Sequence, residues 1–166
     1  EALDMEGSSD ADALNRTSLI VDVKSRIDYL SCDLDDWTVD PLNGPQVELM
    51  NVESYQPVRS LAEGKAMVKR WESMGRYLAD HVENLREGMA QGKVAVGAEV
   101  QKVINELEDS LAKEDSQWPL LSPSKVEHPD WGEDELAQFR KGLAMAVSSA
   151  VRPGLANYLE FLRTEV

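Results

Sequence analysis

His81 and His128 are the two side chains best suited to hold a metal or carry a proton near neutral pH. A zinc site would need further ligands at workable spacing, and the sequence has no His-Glu-x-x-His or helical Glu-x-x-His pattern. His81 follows Tyr77 by one helical turn and reads as a surface or helix-packing histidine. His128 stands in Val126-Glu127-His128-Pro129-Asp130, beside two carboxylates. That setting makes binding conceivable, but the plainer reading is a loop histidine with local hydrogen bonds. Asp33, Asp35, Asp36 and Asp40 form an acidic cluster that lacks the ligand order and central glycine of a calcium loop, so it reads as a solvated helix end. A lone cysteine, Cys32, excludes an internal disulfide and a Cys-based metal pattern. Asn43-Gly44-Pro45 has a single glycine and cannot cradle phosphate. Trp71 fits a packed stripe, whereas Trp37, Trp118 and Trp131 border loops and are expected either to anchor the core or to line a ligand cleft.

The elements that would position these groups read as helices. Residues 1–12 are polar and acidic; they read as a frayed start and do not have the pattern of a signal peptide. Leu19, Val23, Ile27, Leu30 and Leu34 then recur on one face of a first helix, with Cys32 beside it as a small hydrophobe. Prolines 41, 45 and 57 predict an ordered loop over Trp37–Pro57, packed on helices through its many apolar residues. Ser60 and Glu63 predict a capping box that opens a long helix to Gln91, with Met67, Trp71, Met74, Leu78, Val82, Leu85 and Met89 facing inward. A third helix, Val96–Ala112, turns Val100, Val103, Ile104, Leu107 and Leu111 inward. Trp118–Trp131 is a proline-rich loop, and Asp130 with Glu133 predicts a capping box for a helix through Leu136, Phe139, Leu143 and Val147. Pro153-Gly154 either kinks that helix or divides it in two. No strand alternation persists. The fold class is all-α, a helical bundle with long amphipathic helices and an ordered proline-containing loop.

The 166 residues carry a formal net charge of -14. That argues against nucleic acid, which requires a basic surface, and against anionic membranes. No apolar run approaches the roughly 20 residues of a membrane span. The arginines and lysines of the long helix read as partners of Glu63, Glu72, Asp80 and Glu83, in surface pairs that contribute little each.

The segment Asp36-Trp37-Thr38-Val39-Asp40-Pro41-Leu42-Asn43-Gly44-Pro45-Gln46-Val47-Glu48-Leu49, with Tyr55-Gln56-Pro57, resembles the amino-terminal region of the DUF885 family. The pattern around Arg70 to Tyr77, Asn84 to Val94, Val100 to Ile104, Leu120 to Pro123 and Tyr158 to Leu162 extends the likeness over residues 15–166. The resemblance implies a bacterial, helical, zinc metallopeptidase-like protein whose metal ligands lie toward its carboxyl end. It assigns no ligand and no catalytic residue to this chain, and places zinc in the remainder of a parent protein.

The sequence ends at Val166, straight after the amphipathic run Leu155–Arg163. On that ground residues 13–166 are expected to be the amino-terminal part of a larger domain. The chain would then be a noncatalytic scaffold, inactive alone, of a metal-dependent peptidase or amide hydrolase. Its partner would be the carboxyl-terminal portion of the same protein or a second chain. Trp37, Gln46 and Tyr55 are the candidates for a cleft wall facing a peptide-like substrate. The alternative is an autonomous helical binding module without catalysis; a standalone enzyme using two hidden carboxylates finds almost no support. Cytoplasm and periplasm fit the acidic surface equally.

Overall fold

Ser9 opens the first helix: its hydroxyl accepts from the Asp12 N–H at 3.2 Å while the Asp12 carboxylate accepts from the Ser9 N–H at 3.0 Å. The computed structural model describes residues 9–166; of the expected frayed start over 1–12, residues 1–8 lie outside the described residues, whereas Ser9 is a helix cap and residues 10–12 are already helical. Six α-helices are described, with no strand among the described residues: α1 (Asp10–Leu30), α2 (Pro45–Asn51), α3 (Leu61–Ala90), α4 (Gly97–Leu111), α5 (Glu133–Ala146) and α6 (Arg152–Thr164). The chain divides into two units, Glu1–Leu34 and Asp35–Val166.

In the first unit, α1 buries none of its residues. The expected stripe of Leu19, Val23, Ile27 and Leu30 is exposed, and Leu34 falls beyond the helix in a short 3-10 turn. Leu14, Val21 and Tyr29 sit away from that stripe, so the apolar side chains of α1 are not gathered on a single face that one packing partner could cover. Cys32 is exposed just past the helix end.

The second unit holds the core. Met67, Trp71, Met74, Leu78, Val82 and Leu85 of α3 are buried as their spacing predicts, and the Ser60–Glu63 capping box is formed. α3 packs against α5 and α6, and α4 packs against α6. Its carboxyl end is a Schellman turn: Gly92, at φ +79°, donates to Met89 O, and Lys93 N donates to Gly88 O. Gly88 itself lies under Asp36, whose carbonyl would overlap any Cβ there.

Three expectations change in detail. Residues 37–57 are ordered, but Pro45 begins a helix instead of blocking one, because the first helical position needs no N–H. α5 begins at Glu133, with Gly132 as its N-cap; Glu135 accepts from the Gly132 N–H at 3.1 Å, so the reciprocal carboxylate is Glu135 and not Glu133. The last helical run is divided in two, but the division falls before Pro153 and not at it. Residues Val147–Val151 form a π-helical turn that joins α5 to α6, and Pro153 sits in the first turn of α6. Gly75 of α3 approaches this turn so closely that a Cβ would lie 2.8 Å from Ala150 O.

Arg152 ties the end of α4 to the start of α6. Its guanidinium donates to Leu111 O at 2.8 Å and Lys113 O at 2.6 Å, pairs with Asp115 at 2.6 Å, and stands 4.7 Å from the Trp118 ring centroid. The last carbonyls of a helix lack intrahelical partners, and a cation there also meets the negative end of the helix dipole.

Candidate functional site

The candidate residues lie on the two segments that bear prolines. Asp40 shapes the first. Its carboxylate accepts from the N–H groups of Leu42 at 2.7 Å and Asn43 at 3.1 Å, which holds its pKa below the usual value. The turn brings Gln46 inward. Gln46 is 6% exposed, and its amide nitrogen donates to Asp40 O at 3.0 Å and to the Glu106 carboxylate at 3.3 Å. Gly44 is required beside it, because a Cβ there would overlap Asp40 O and the Gln46 amide.

Trp37, Gln46 and Tyr55 do not converge on one cavity. Trp37 is half-buried and lines a hollow with Pro41, Val96 and Glu99. Tyr55 is 78% exposed at a different hollow, with Leu42, Val47 and Glu48. Gln46 is turned into the packing between α2 and α4.

A further cavity, of about 280 Å³, lies between the 3-10 turn Val52–Tyr55 with its following residues and the proline-rich segment that contains the 3-10 helix Pro119–Lys125. Glu53, Gln56, Ser122 and His128 supply its polar lining, and Pro57, Pro123 and Val126 part of its apolar wall. The Ser122 hydroxyl donates to Glu53 Oε2 at 3.0 Å. His128 stacks on Trp131, with ring centroids 4.1 Å apart, and Trp131 meets Phe139 edge to face. Gln56 Oε1 and His128 Nε2 are buried and meet no partner among the described residues. Of these residues only His128 stands out in the sequence; Glu53, Gln56 and Ser122 do not. The available signal was a polar residue directly before proline in each segment, Gln56-Pro57 and Ser122-Pro123.

His81 lies elsewhere, on α3. Its ring meets that of Tyr158 edge to face at 5.3 Å. Burial pushes its pKa below 6.5, with nearby Asp35 acting weakly the other way. Burial likewise raises the Tyr158 phenol, whose hydroxyl has no partner among the described residues. Trp71 and Trp118 act as anchors: their indole N–H groups donate to Leu120 O at 3.1 Å and Ser110 O at 3.2 Å. A groove between α3 and α5 is floored by Val68, Phe139 and Gly142 and flanked by Lys65 and Lys69.

Among the described residues no group of three or more His, Cys, Asp or Glu side chains is placed to hold a metal ion. The resemblance places zinc outside this chain, and no step through a metal is derived for the residues present. No helix among the described residues is long and apolar enough to cross a membrane.

These features define a class: an all-α bundle domain whose polar candidate groups sit on ordered, proline-bearing segments against the core. The chain belongs to the DUF885 family, described as "Bacterial protein of unknown function (DUF885)", which matches residues 1–166. No curated protein and no solved structure matches the chain.

Proposed function

We propose that this chain works as a helical binding module that engages peptide-like ligands without catalysing their conversion. The observation that carries this reading is the pairing of a continuous core in the second unit with formed cavities in its two proline-bearing segments. Ordered segments on a rigid scaffold keep ligand contacts in place, which lowers the entropic cost of binding. The core is continuous from Val39 and Leu49 through α3 and α4 to Leu162.

The position of Trp37 and Tyr55 at the surface favours a second reading: the same segments form one wall of a peptidase or amide-hydrolase cleft whose catalytic groups belong to another part of a parent protein or to a second chain. Both readings give the chain a ligand-facing role and differ in what surrounds it.

Titration of the purified chain with a random-sequence peptide library, followed by mass spectrometry of the recovered peptides, tests the proposal. Saturable binding with peptides recovered intact is expected. Cleavage by this chain alone, or a folded chain that binds no member of the library, would overturn it. Restoration of cleavage only on adding a second polypeptide would select the cleft-wall reading.

A further inference from the structure

The cavity between residues 52–58 and 119–128 has a chemical bias that its shape alone does not convey. One carboxylate, Glu53, lines it, and no lysine or arginine does. Two acceptors are unmet there: Gln56 Oε1, and His128 Nε2 in the tautomer that carries its proton on Nδ1. Leaving such groups unpaired in a folded interior is costly, and each calls for an explanation. Pro57, Pro123 and Val126 give the same cavity apolar walls.

We infer that this cavity takes the guanidinium side chain of an arginine presented by a protein partner. A guanidinium has five N–H donors in a planar fork and no acceptor. That is the complement of the Glu53 carboxylate that lines the cavity and of the amide oxygen and imidazole nitrogen closed off behind its wall. An ammonium is a compact point charge and reaches separated acceptors less well. The aliphatic stem of arginine suits the proline and valine walls, as long cationic side chains bury their stems while the head finds polar company. The stack on Trp131 braces the His128 ring. Beyond the cavity, the net charge of -14 draws a cationic partner toward the chain. Gln56 Oε1 and His128 Nε2 are closed to water in the free form, so entry requires rotation of the Gln56 amide and a small displacement of the ring. The inference rests on the binding-module reading and names the side chain that the module selects.

The test is an NMR titration of the whole chain with acetyl-Gly-Arg-Gly-amide and with its citrulline counterpart, which keeps the shape and loses the charge. The arginine peptide is expected to shift the His128 ring and Trp131 indole resonances saturably. Citrulline should bind about tenfold more weakly, and Glu53→Gln should weaken the arginine peptide by about the same factor, because the charge-assisted bonds are lost. Equal affinity for the two peptides, shifts confined to residues away from the cavity, or no saturable shift would overturn the assignment. The arginine–citrulline comparison uses the unaltered protein, so it decides the matter even where Glu53→Gln disturbs folding. If library peptides bind while the arginine peptide does not, the arginine assignment falls and the binding-module reading stands; if the library does not bind, that reading falls.

Discussion

Replacing Arg152 with methionine should remove a junction between two helices while keeping a side chain of similar length over Trp118. The loss can be worked from the contacts. A hydrogen bond from a charged group contributes about 1.5–3 kcal/mol. The part-buried bond to Leu111 O belongs at the low end of that range, because the Arg152 side chain is 28% exposed and that of Asp115 36%. The ion pair adds about 1 kcal/mol at this exposure and the ring contact about 1 kcal/mol. The bond to the exposed Lys113 carbonyl adds little, since water replaces it. Arg152→Met should therefore lower stability by about 3 kcal/mol, a fall in Tm of roughly 6–12 °C for a domain of this size. Urea unfolding followed by tryptophan fluorescence measures it, with circular dichroism as a second probe for two-state behaviour. Arg152→Lys should recover less than half of the loss, because an ammonium cannot bridge two carbonyls and a carboxylate in the same geometry. A loss below about 1 kcal/mol for Arg152→Met would show that water and the remaining packing hold the end of α4 without the guanidinium.

His81 should give the fold a pH dependence. Its pKa is lowered in the folded state by burial, so the unfolded chain takes up the proton first as pH falls through about 6.5. Stability from this group is then lost below pH 6.5, by at most about 1.4 kcal/mol per pH unit, until the folded state protonates too; above pH 7 it is flat. His81→Leu should flatten the same window in urea titrations, and parallel curves for the two proteins would refute the burial argument. Gly88→Ala should cost about 2 kcal/mol or more, since its Cβ must displace the Asp36 backbone; an unchanged urea midpoint would contradict that close approach. Trp37→Ala should weaken peptide binding more than it lowers stability, because Trp37 is only half-buried at a surface hollow; unchanged affinity in a folded variant would remove Trp37 from the ligand face.

Much of this fold is legible in the residues, and the exceptions have physical causes. The spacing of Met67 to Leu85 and the Ser60–Glu63 box placed α3 correctly, because a long stripe and a reciprocal cap are both local signals. α1 misled, since apolar spacing shows which residues share a face and is silent on whether anything covers it. Pro45 reads as a break, and Pro153 as either a kink or a division. A proline at the start of a helix breaks nothing, and a π turn absorbs the second one, which no residue spacing announces. Of the candidate site, Trp37 and Tyr55 border separate hollows and Gln46 is buried, so the three do not share one cavity. The cavity at His128 combines residues some 70 positions apart, such as Ser122 with Glu53 (|i−j| of 69), and only tertiary packing brings them together.

The π turn at Val147–Val151 also sets the phase of everything after it. Phe139, Leu143, Val147, Val151, Leu155 and Leu159 are all buried, and they recur every fourth residue. Four-residue steps outrun an α-helical turn by about 40° each, so on a regular helix this series would wind away from the core. The wider turn takes up part of that drift and keeps both ends of the run facing α3. The turn accommodates about one residue more than a regular helical segment of the same rotation, so deleting one residue within 147–151 would close it toward a regular helix with α6 near its present phase, whereas the same deletion in the middle of α5 would turn every residue beyond it by about 100°. Tolerance to insertion and deletion along this chain is thus decided by helical phase as well as by burial.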